Sequence, residues 1–164
     1  MSIARFLHVS EAQYAASALP DALPVAEIPL PRRATAGSAG YDFICPADIT
    51  LHPGDAVTIP TGIRCEMAPG WVLMLFPRSG LGFKHQLRLA NTVGVIDSDY
   101  FHADNEGHIM VRLVCGQSPC SQDSHAVSIL KGERFCQGVF LPHGLAEEEE
   151  VSSGREGGFG STGK

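Results

Sequence analysis

The residues of this chain that could carry out chemistry lie in short polar segments, and three common catalytic arrangements fail on their spacing. The run GFGSTG at 158–163 matches the dinucleotide pattern G-x-G-x-x-G, but no strand pattern leads into it, so a dinucleotide site is not indicated. Ser79 stands in a sharp Arg-Ser-Gly turn, yet no histidine is placed by sequence to activate it as a nucleophile. The seven histidines lack metal-ligand spacing, and we expect His102 and His108, beside an acidic segment, to be solvated surface residues.

The five cysteines predict plain thiols rather than a disulfide framework or a zinc site. Their number is odd, and none of them forms a C-x-x-C pair. We therefore expect these side chains to pack as small, buried or half-buried apolar groups.

What remains is a set of five polar motifs joined by apolar segments. They read AGSAGYDF at 36–43, PRSGLGFKH at 77–85, NTVGVIDSDY at 91–100, ERFCQGVF at 133–140 and GGFGSTG at 157–163. Glycine in such motifs lets the backbone come close to a ligand. Because the net charge is −6, a polyanionic small molecule would require a local cluster of cations or a metal ion.

The segments that must position these motifs have the rhythm of an all-β protein. The 18 glycines and 11 prolines are spread along the chain at short intervals rather than pooled in one linker. Apolar runs between turns such as HPG, APG, KGE and LPHG predict short strands. These strands are expected at 57–59, 71–76, 87–89, 109–115, 126–130 and 135–141.

One helix is predicted, near residues 11–18. Ser10 and Gln13 form a capping box, Val9 and Tyr14 fit a hydrophobic staple, and two prolines follow at 20 and 24. We divide the chain into an N-terminal arm at 1–26, a β domain at 27–146 and a tail at 147–164. The tail is acidic and then rich in glycine and serine, a composition typical of a mobile segment.

Length and composition narrow the class of protein. A chain of 164 residues, 44% hydrophobic and 18% charged, suits one soluble domain and has no stretch that could cross a membrane. The absence of a basic stripe argues against nucleic acid as a partner. The first ten residues lack the apolar core and cleavage site of a secretory signal, which predicts a cytoplasmic location.

In this order and at these separations, the five motifs resemble those of the homotrimeric dUTP diphosphatases, or dUTPases, over about residues 27–163. The resemblance implies an all-β subunit with a distorted jelly-roll-like fold, a short N-terminal helical arm and a mobile C-terminal tail that carries a glycine-rich lid. It also implies hydrolysis of dUTP to dUMP and pyrophosphate with Mg²⁺, at sites shared between the subunits of a homotrimer.

The resemblance assigns the two central roles to aspartates. Asp97 corresponds to the general base that orients and deprotonates the attacking water. Asp42 corresponds to the carboxylate that holds waters of the Mg²⁺ bound to the phosphates. Contact through water suits this ion, because Mg²⁺ dehydrates reluctantly.

The phosphate chain is expected to meet residues of two motifs. Arg78, Ser79 and Gly80 correspond to donors that bind the phosphates of a substrate held mainly by the neighbouring subunit, with the glycines forming an anion-binding nest. Arg134 corresponds to the residue that holds the closed tail, and Gln137 to one near the α-phosphate.

The nucleoside is expected to meet NTVGVIDSDY, which looks like the β-hairpin that binds uracil in this family. The backbone around Asn91, Gly94 and Ile96 would pair with the uracil edge and leave no room for a 5-methyl or 4-amino group. Tyr100 corresponds to the aromatic that packs on the deoxyribose and excludes a 2′-hydroxyl.

In the tail, Phe159 corresponds to the ring that stacks over uracil. Ser161, Thr162 and the backbone of Gly160 correspond to donors that cover the γ-phosphate, together with Arg155. Such a lid would order on the substrate and expel water.

Two alternatives remain open. A dCTP deaminase-like enzyme shares the architecture, but it would require R-S-S in place of Arg78-Ser79-Gly80 and a glutamate base. A non-catalytic nucleotide-sensing module of the same fold is the other alternative, and the presence of Asp97 and Phe159 argues against it.

The sequence departs from the family pattern at several places. Arg155 stands four residues before Phe159 rather than five, and Gln86 replaces the usual glycine. Insertions occupy 101–108 and 116–125. We expect these differences to alter surface loops and the packing of subunits.

Overall fold

The computed structural model describes residues 2–116 and 126–147. Within these ranges the strands are β1 Ala4–His8, β2 Arg32–Arg33, β3 Tyr41–Ile44, β4 Ile49–Leu51, β5 Ala56–Pro60, β6 Ile63–Met67, β7 Trp71–Pro77, β8 Leu87–Leu89, β9 Gly94–Ile96, β10 Met110–Cys115, β11 Val127–Ile129 and β12 Arg134–Pro142. The helices are α1 Glu11–Ala15 and α2 Ser79–His85, with 3₁₀ turns at Val25–Glu27 and Ser98–His102. All six strands predicted from the apolar runs are present, and the all-β, jelly-roll-like prediction is confirmed. No helix in the described residues is long and apolar enough to cross a membrane.

The described strands pair antiparallel in a five-stranded sheet, a three-stranded sheet and two strand pairs. The larger sheet has the order β2-β3-β12-β7-β9, the smaller one β5-β10-β8, and the pairs are β1-β6 and β4-β11. Strand β12 lies at the centre of the larger sheet, between β3 and β7. This arrangement places motif residues of distant sequence segments side by side.

The core is one cluster formed by the buried faces of these strands. Alternate residues of β7 point inward, so that Leu73 and Leu75 are almost completely buried with Phe135 of β12. Full burial of such a side chain contributes roughly 1.5–3 kcal/mol. Gly138 occupies the middle of β12 because a Cβ there would lie 2.7 Å from Cδ1 of Leu73.

The N-terminal segment packs on the β structure. Strand β1 pairs along its whole length with β6, and the side chains of Val9, Tyr14 and Val25 belong to the core cluster. Helix α1 begins after Ser10, whose Oγ accepts the backbone N–H of Gln13 at 3.1 Å, which is one half of the predicted capping box. The backbone N–H of Ser10 donates to Glu106 instead of to the side chain of Gln13. The helix ends at Ala15, three residues earlier than expected, and the chain then crosses the surface toward the 3₁₀ turn.

The prediction of plain thiols is confirmed for the four cysteines in the described ranges. Cys45, Cys65, Cys115 and Cys136 are buried and free. Burial raises the pKa of Cys45 to about 11 and the pKa values of Cys65 and Cys136 to about 12, so these thiols are neutral and unreactive near pH 7. Cys120 lies outside the described residues.

Candidate active site

Asp42 lies on β3 at the centre of a cluster of charges. Its side chain is largely buried, and its Oδ1 is 3.3 Å from Nε of Arg78. Nη1 of Arg134 donates to its Oδ2, also at 3.3 Å. Two guanidinium groups therefore face one carboxylate, which leaves a net positive charge at this position.

The order of strands explains why these residues meet. In the register of the larger sheet, Asp42 lies opposite Gln137 of β12, and Gln137 lies opposite Phe76 near the end of β7. Arg134 begins β12, just before an irregularity in the pairing with β3. Three sequence motifs are thus joined side by side by backbone hydrogen bonds.

Gly40 allows the Gln137 amide to lie against the motif that carries Asp42. A Cβ at Gly40 would stand 2.5 Å from Oε1 of Gln137, so a side chain at this position would push the amide aside. Glycine here leaves room for the Gln137 amide against the segment before β3.

The PRSGLGFKH motif forms a helix, where the sequence indicated a glycine-rich nest. Arg78 is extended, and its carbonyl accepts the backbone N–H groups of Leu81 and Gly82 at 3.0 Å, which starts α2. The half-buried Leu81 packs against the core, and Gln86 ends the helix in the left-handed region with φ 54°. Glycines lower helix propensity, but the core contact and the two backbone bonds at Arg78 compensate.

A cavity of about 570 Å³ opens beside the Asp42 cluster. It is lined by Arg78, Ser79, Gly80, Leu81, Lys84, His85, Gly132, Glu133 and Arg134. Two arginines, one lysine and one glutamate line this space, so it suits an anion. Four residues predicted from two motifs, Arg78, Ser79, Gly80 and Arg134, thus line one cavity, whereas Gln137 does not line it. The cavity adds Glu133 and His85, which sequence reasoning did not place in the site.

The segment NTVGVIDSDY, which is predicted to bind uracil, differs from the expected hairpin. Strands β8 and β9 pair in different sheets, β8 with β10 and β9 with β7, so the segment between them crosses from one sheet to the other. The crossing includes the exposed Asn91 and Thr92 with φ 67°. Gly94 starts β9, where a Cβ would lie 3.0 Å from Cβ of Leu75, and Ile96 ends it.

Asp97 directly follows β9 and caps the 3₁₀ turn Ser98–His102. Its carbonyl accepts the backbone N–H of Tyr100 at 3.2 Å. The ring of Tyr100 is only 5% exposed, and its hydroxyl donates to the carbonyl of His108 at 2.9 Å. Asp97 and Tyr100 thus share one tight turn, and their relative positions are set by its backbone.

The prediction of a solvated surface is wrong for His108, which is fully buried, whereas His102 is exposed. Nε2 of His108 accepts the backbone N–H of Gly62 at 2.9 Å. Burial lowers the pKa of His108 to about 4, so the imidazole is neutral near pH 7. The segment 101–108 folds back onto Gly62, a long-range contact that local polarity does not reveal.

The two groups of candidate residues lie far apart within one chain. Strands β3 and β9 are separated by two intervening strands, a distance of about 14 Å across the sheet. The partner of Gln137 on β7 is Phe76, whereas the partner of Ile96 is Leu73, which adds about 10 Å along the strands. Asp42 and Ile96 are therefore roughly 17 Å apart in one subunit, and Asp97 comes one residue later.

The remaining predicted site residues fall outside the described ranges. They are Arg155, Phe159, Gly160, Ser161 and Thr162.

Comparison with known proteins decides the family. The family model of the dUTPases matches residues 26–163. The chain belongs to the dUTPase family. The deoxyuridine 5'-triphosphate nucleotidohydrolase of Lactococcus lactis is 42% identical over 141 residues, with 84% of this chain and 90% of that protein covered. The Hahella chejuensis protein of the same name is 44% identical over 145 residues, with coverages of 84% and 88%.

Solved dUTPase structures share the fold. The dUTPase of Streptococcus mutans has a TM-score of 0.62 at 40% identity and covers 72% of this chain and 88% of its own. The dUTPase of Staphylococcus bacteriophage 80alpha with dUPNHPP has a TM-score of 0.66 and covers all of both chains, and its 22% identity makes this a likeness of fold alone. The resemblance seen in the five motifs, and with it the enzyme class of dUTP diphosphatase, is confirmed.

The dUTPase match has a boundary that matters for the N-terminal segment. It begins at residue 26, whereas β1 and α1 lie between residues 4 and 15. This strand and helix therefore lie before the matched region, and they pack on the core that it forms.

Proposed function

We propose that the chain hydrolyses dUTP, a free nucleotide of the cytoplasm, to dUMP and pyrophosphate. The observation that carries the proposal is the ion cluster in which Asp42 lies 3.3 Å from nitrogen atoms of both Arg78 and Arg134, beside a cavity of about 570 Å³. Membership of the dUTPase family and the names of the most similar relatives support dUTP as the substrate.

The cationic cavity is the proposed phosphate site. A triphosphate carries about four negative charges, which Arg78, Lys84 and Arg134 offset by charge-assisted hydrogen bonds. Ser79 and Gly80 lie in the first turn of α2, where backbone N–H groups lack partners within the helix and are free to donate to phosphate oxygens. Gln137, opposite Asp42, supplies a neutral amide beside the same charges.

The surroundings of Asp42 fit a hydrated Mg²⁺ that arrives with the triphosphate. No group of three or more His, Cys, Asp or Glu side chains in the described ranges could hold a metal by itself. Mg²⁺ is commonly bound through one or two carboxylates, several waters and substrate phosphates. A carboxylate has about four acceptor positions, and the two guanidinium groups leave some of those of Asp42 for metal-bound water. When bound, the ion neutralises charge that develops on the phosphate oxygens.

Asp97 is the proposed general base. Its carboxylate orients a water in line with the α-phosphorus and takes a proton from it as the new oxygen–phosphorus bond forms. The bond from that phosphorus to the bridging oxygen breaks on the opposite side, and pyrophosphate leaves. The tight turn that joins Asp97 to Tyr100 fixes the position of the base relative to the ring that packs on the sugar. Much of the contribution of Asp97 to the rate is therefore positional.

Selection of the nucleoside rests on β9 and Tyr100. The backbone around Asn91, Gly94 and Ile96 pairs with the uracil edge, so a 5-methyl or 4-amino group meets a clash or an unpaired polar atom. The buried ring of Tyr100, with its hydroxyl bonded, is a stiff wall against the deoxyribose. A ribose 2′-hydroxyl would collide with this wall or lose its water.

We also propose the homotrimer that the family resemblance implies, and the separation of the two groups of residues supports sites shared between subunits. Asp42 and Asp97 must act on one phosphate chain, yet the sheet holds them more than about 17 Å apart within a subunit. Asp97 and Tyr100 of one subunit would therefore face Asp42 and Arg78 of another. A closed symmetric ring satisfies this requirement for every subunit at once.

The tail residues complete the proposed site. Phe159 stacks on uracil, while Arg155, Ser161, Thr162 and the backbone of Gly160 cover the γ-phosphate. Closure of such a segment over the nucleotide excludes bulk water from the reacting phosphate.

The decisive experiment measures pyrophosphate release from dUTP, dTTP, dCTP and UTP in the presence of Mg²⁺. We expect efficient release from dUTP alone. Comparable kcat/KM values for dTTP or UTP would contradict the selection mechanism, and ammonia release from dCTP would favour the deaminase alternative. Tight binding of dUTP without turnover would favour the nucleotide-sensing module.

A further inference from the structure

The hydroxyl of Tyr100 is held from two sides by residues that follow it in the chain. It donates to the carbonyl of His108 at 2.9 Å and accepts from Nδ2 of Asn105 at 2.7 Å. Asn105 itself is fixed, because its Oδ1 accepts the backbone N–H of Gly107 at 3.2 Å and its carbonyl accepts that of His108 at 3.0 Å. One amide thus joins the tyrosine hydroxyl to a closed turn.

This turn closes over the backbone of Tyr100 more tightly than ordinary residues allow. Glu106 and Gly107 both have left-handed backbones, with φ values of 59° and 69°. A Cβ at Gly107 would lie 2.6 Å from the carbonyl oxygen of Tyr100 and 2.8 Å from Cα of Phe101. Glycine is therefore required at this position, and the turn is in close contact with the backbone of Tyr100 and Phe101.

The outer side of the turn is braced by the N-terminal segment and by β6. The carboxylate of Glu106 accepts the backbone N–H of Ser10 at 2.8 Å and its Oγ–H at 2.6 Å, and Nη1 of Arg64 lies 3.7 Å away. The hydrogen bonds from Ser10 hold the pKa of Glu106 below its usual range. Arg64 also donates to the carbonyl of Phe101 at 2.6 Å and lies over that ring.

We propose that Asn105 is a positioning residue that sets the sugar-facing wall at Tyr100, and that the Ser10–Glu106 contact couples the N-terminal segment to this wall. The inference rests on the proposed function, in which Tyr100 packs on the deoxyribose. The inserted segment 101–108 then has a role in substrate selection, which it exerts through its contacts with the Tyr100 hydroxyl. Residues that fix the position of the Tyr100 ring affect discrimination between dUTP and UTP, because a ring that moves aside leaves room for the 2′-hydroxyl of UTP.

The first experiment compares kcat and KM for dUTP and UTP in the wild type and in Asn105→Ala. Loss of one hydrogen bond to the hydroxyl should reduce the ratio of the two kcat/KM values by about five- to tenfold, chiefly through improved use of UTP. Asp55→Ala is the matched control, since Asp55 also accepts a backbone N–H within a turn, that of His52 at 2.8 Å. The control should keep the wild-type ratio, and a folded Asn105→Ala that also keeps it would overturn the inference.

A double-mutant cycle with Tyr100→Phe tests whether Asn105 acts through the hydroxyl. On the Tyr100→Phe background, Asn105→Ala should change the dUTP/UTP ratio no further. Independent effects of the two substitutions would contradict the proposed contact.

A readout without turnover separates this inference from the proposed function. The chain has three tyrosines, so NMR signals of labelled tyrosine rings are few, and Tyr100→Phe assigns the relevant one. We expect the Tyr100 ring to flip slowly in the wild type and faster in Asn105→Ala, whether or not dUTP is hydrolysed. Unchanged ring motion would refute the positioning role, whereas a wild type that leaves dUTP intact would refute only the proposed function.

Substitution of Glu106 tests the contact between Ser10 and Glu106. It also tests the positioning of Tyr100 if Asn105→Ala does not fold. Glu106→Ala removes both acceptors of Ser10 and should speed the Tyr100 ring flip, while Glu106→Gln retains an acceptor and should restore most of the wild-type behaviour. Equal ring motion in both variants and the wild type would show that the N-terminal segment is not coupled to the tyrosine.

Discussion

Gly62 donates its backbone N–H to Nε2 of His108 at 2.9 Å, and this contact requires that nitrogen to be free of a proton. The folded protein lowers the pKa of His108 to about 4, because the ring is fully buried. The unfolded chain takes up this proton near pH 6.5. The stabilisation is therefore complete above about pH 6.5 and is lost progressively as the pH falls toward 4.

We predict that the free energy of unfolding falls by up to about 3 kcal/mol over this interval on account of His108. Denaturant unfolding at a series of pH values measures this loss. In His108→Gln, where the new amide oxygen can accept from Gly62, the loss should be much smaller. His102→Gln, which replaces an exposed histidine of the same segment, should keep the wild-type dependence of the unfolding free energy on pH. The same wild-type dependence in His108→Gln would show that His108 is not its source.

Asp97→Asn should leave the fold intact and preserve binding of dUTP, while turnover falls by roughly 10²–10⁴-fold, the range typical of a lost general base. The amide occupies the same volume but cannot take the proton of the attacking water. Steady-state kinetics with calorimetric binding of a nonhydrolysable dUTP analogue separate the two effects. Full activity in this variant would mean that another group is the base.

Asp42→Asn should weaken the response to Mg²⁺ more than the binding of the nucleotide alone. The amide donates where the carboxylate accepts, so it cannot hold metal-bound water through both oxygens, while Arg78 and Arg134 remain available to phosphate. A titration of kcat against Mg²⁺ should show half-saturation at a concentration about tenfold or more higher than in the wild type. An unchanged titration would place the metal elsewhere.

Mixing of two impaired variants, assayed at a Mg²⁺ concentration that saturates the wild type but not Asp42→Asn, tests whether sites are shared between subunits. In trimers formed from equal amounts of Asp42→Asn and Asp97→Asn, a shared site is intact when the subunit that contributes Asp42 is the Asp97→Asn variant and its neighbour, which contributes Asp97, is the Asp42→Asn variant. With random mixing this holds for about one quarter of the sites, so about one quarter of the wild-type activity should return. Light scattering should give the mass of a trimer. No recovery after exchange of subunits, or an active monomer, would show that each chain builds its own site.

Deletion of residues 157–164 should lower kcat steeply and leave thermal stability nearly unchanged. The predicted contacts of Phe159, Ser161 and Thr162 form only with the nucleotide, so the free enzyme loses little when they are removed. Phe159→Ala alone should cost about 1–3 kcal/mol of transition-state binding, by analogy with the stacking of bases on aromatic rings. A truncated enzyme with full kcat/KM for dUTP would mean that the segment is only a linker.

Much of the fold could be predicted because apolar runs between proline and glycine report which backbone segments are extended. Strand β7 is an example, since its continuous apolar run and its flanking APG and PRSG turns define it almost to the residue. Strand β9 was expected only as part of a local hairpin, and it pairs instead with β7, a distant partner that the local pattern does not reveal. Helix α2 escaped because its glycines argue against a helix, while Leu81 and the backbone bonds at Arg78 favour it.

The candidate site also has features that could be predicted from the sequence and others that could not. The motifs named Asp42, Arg78 and Arg134, but their spacing in sequence does not say that one carboxylate meets both guanidinium groups. That contact follows from the pairing of β3 with β12 and of β12 with β7. His108 was misjudged because a polar residue beside acidic neighbours reads as exposed, until the segment folds back onto Gly62.

By itself, the sequence determined the strand-rich class and the capping of α1 by Ser10, because each depends on neighbours a few residues away. The side chains predicted to bind a triphosphate came from the resemblance of the five motifs to those of the dUTPases. Only the tertiary structure decided that Asp42 and Asp97 lie at separate places in one subunit. It alone revealed that Ser10 holds Glu106, 96 residues later in the chain, and that Asn105 holds Tyr100. Contacts of this kind depend on how distant segments bury one another's surfaces, and no local pattern of polar and apolar residues encodes that choice of partner.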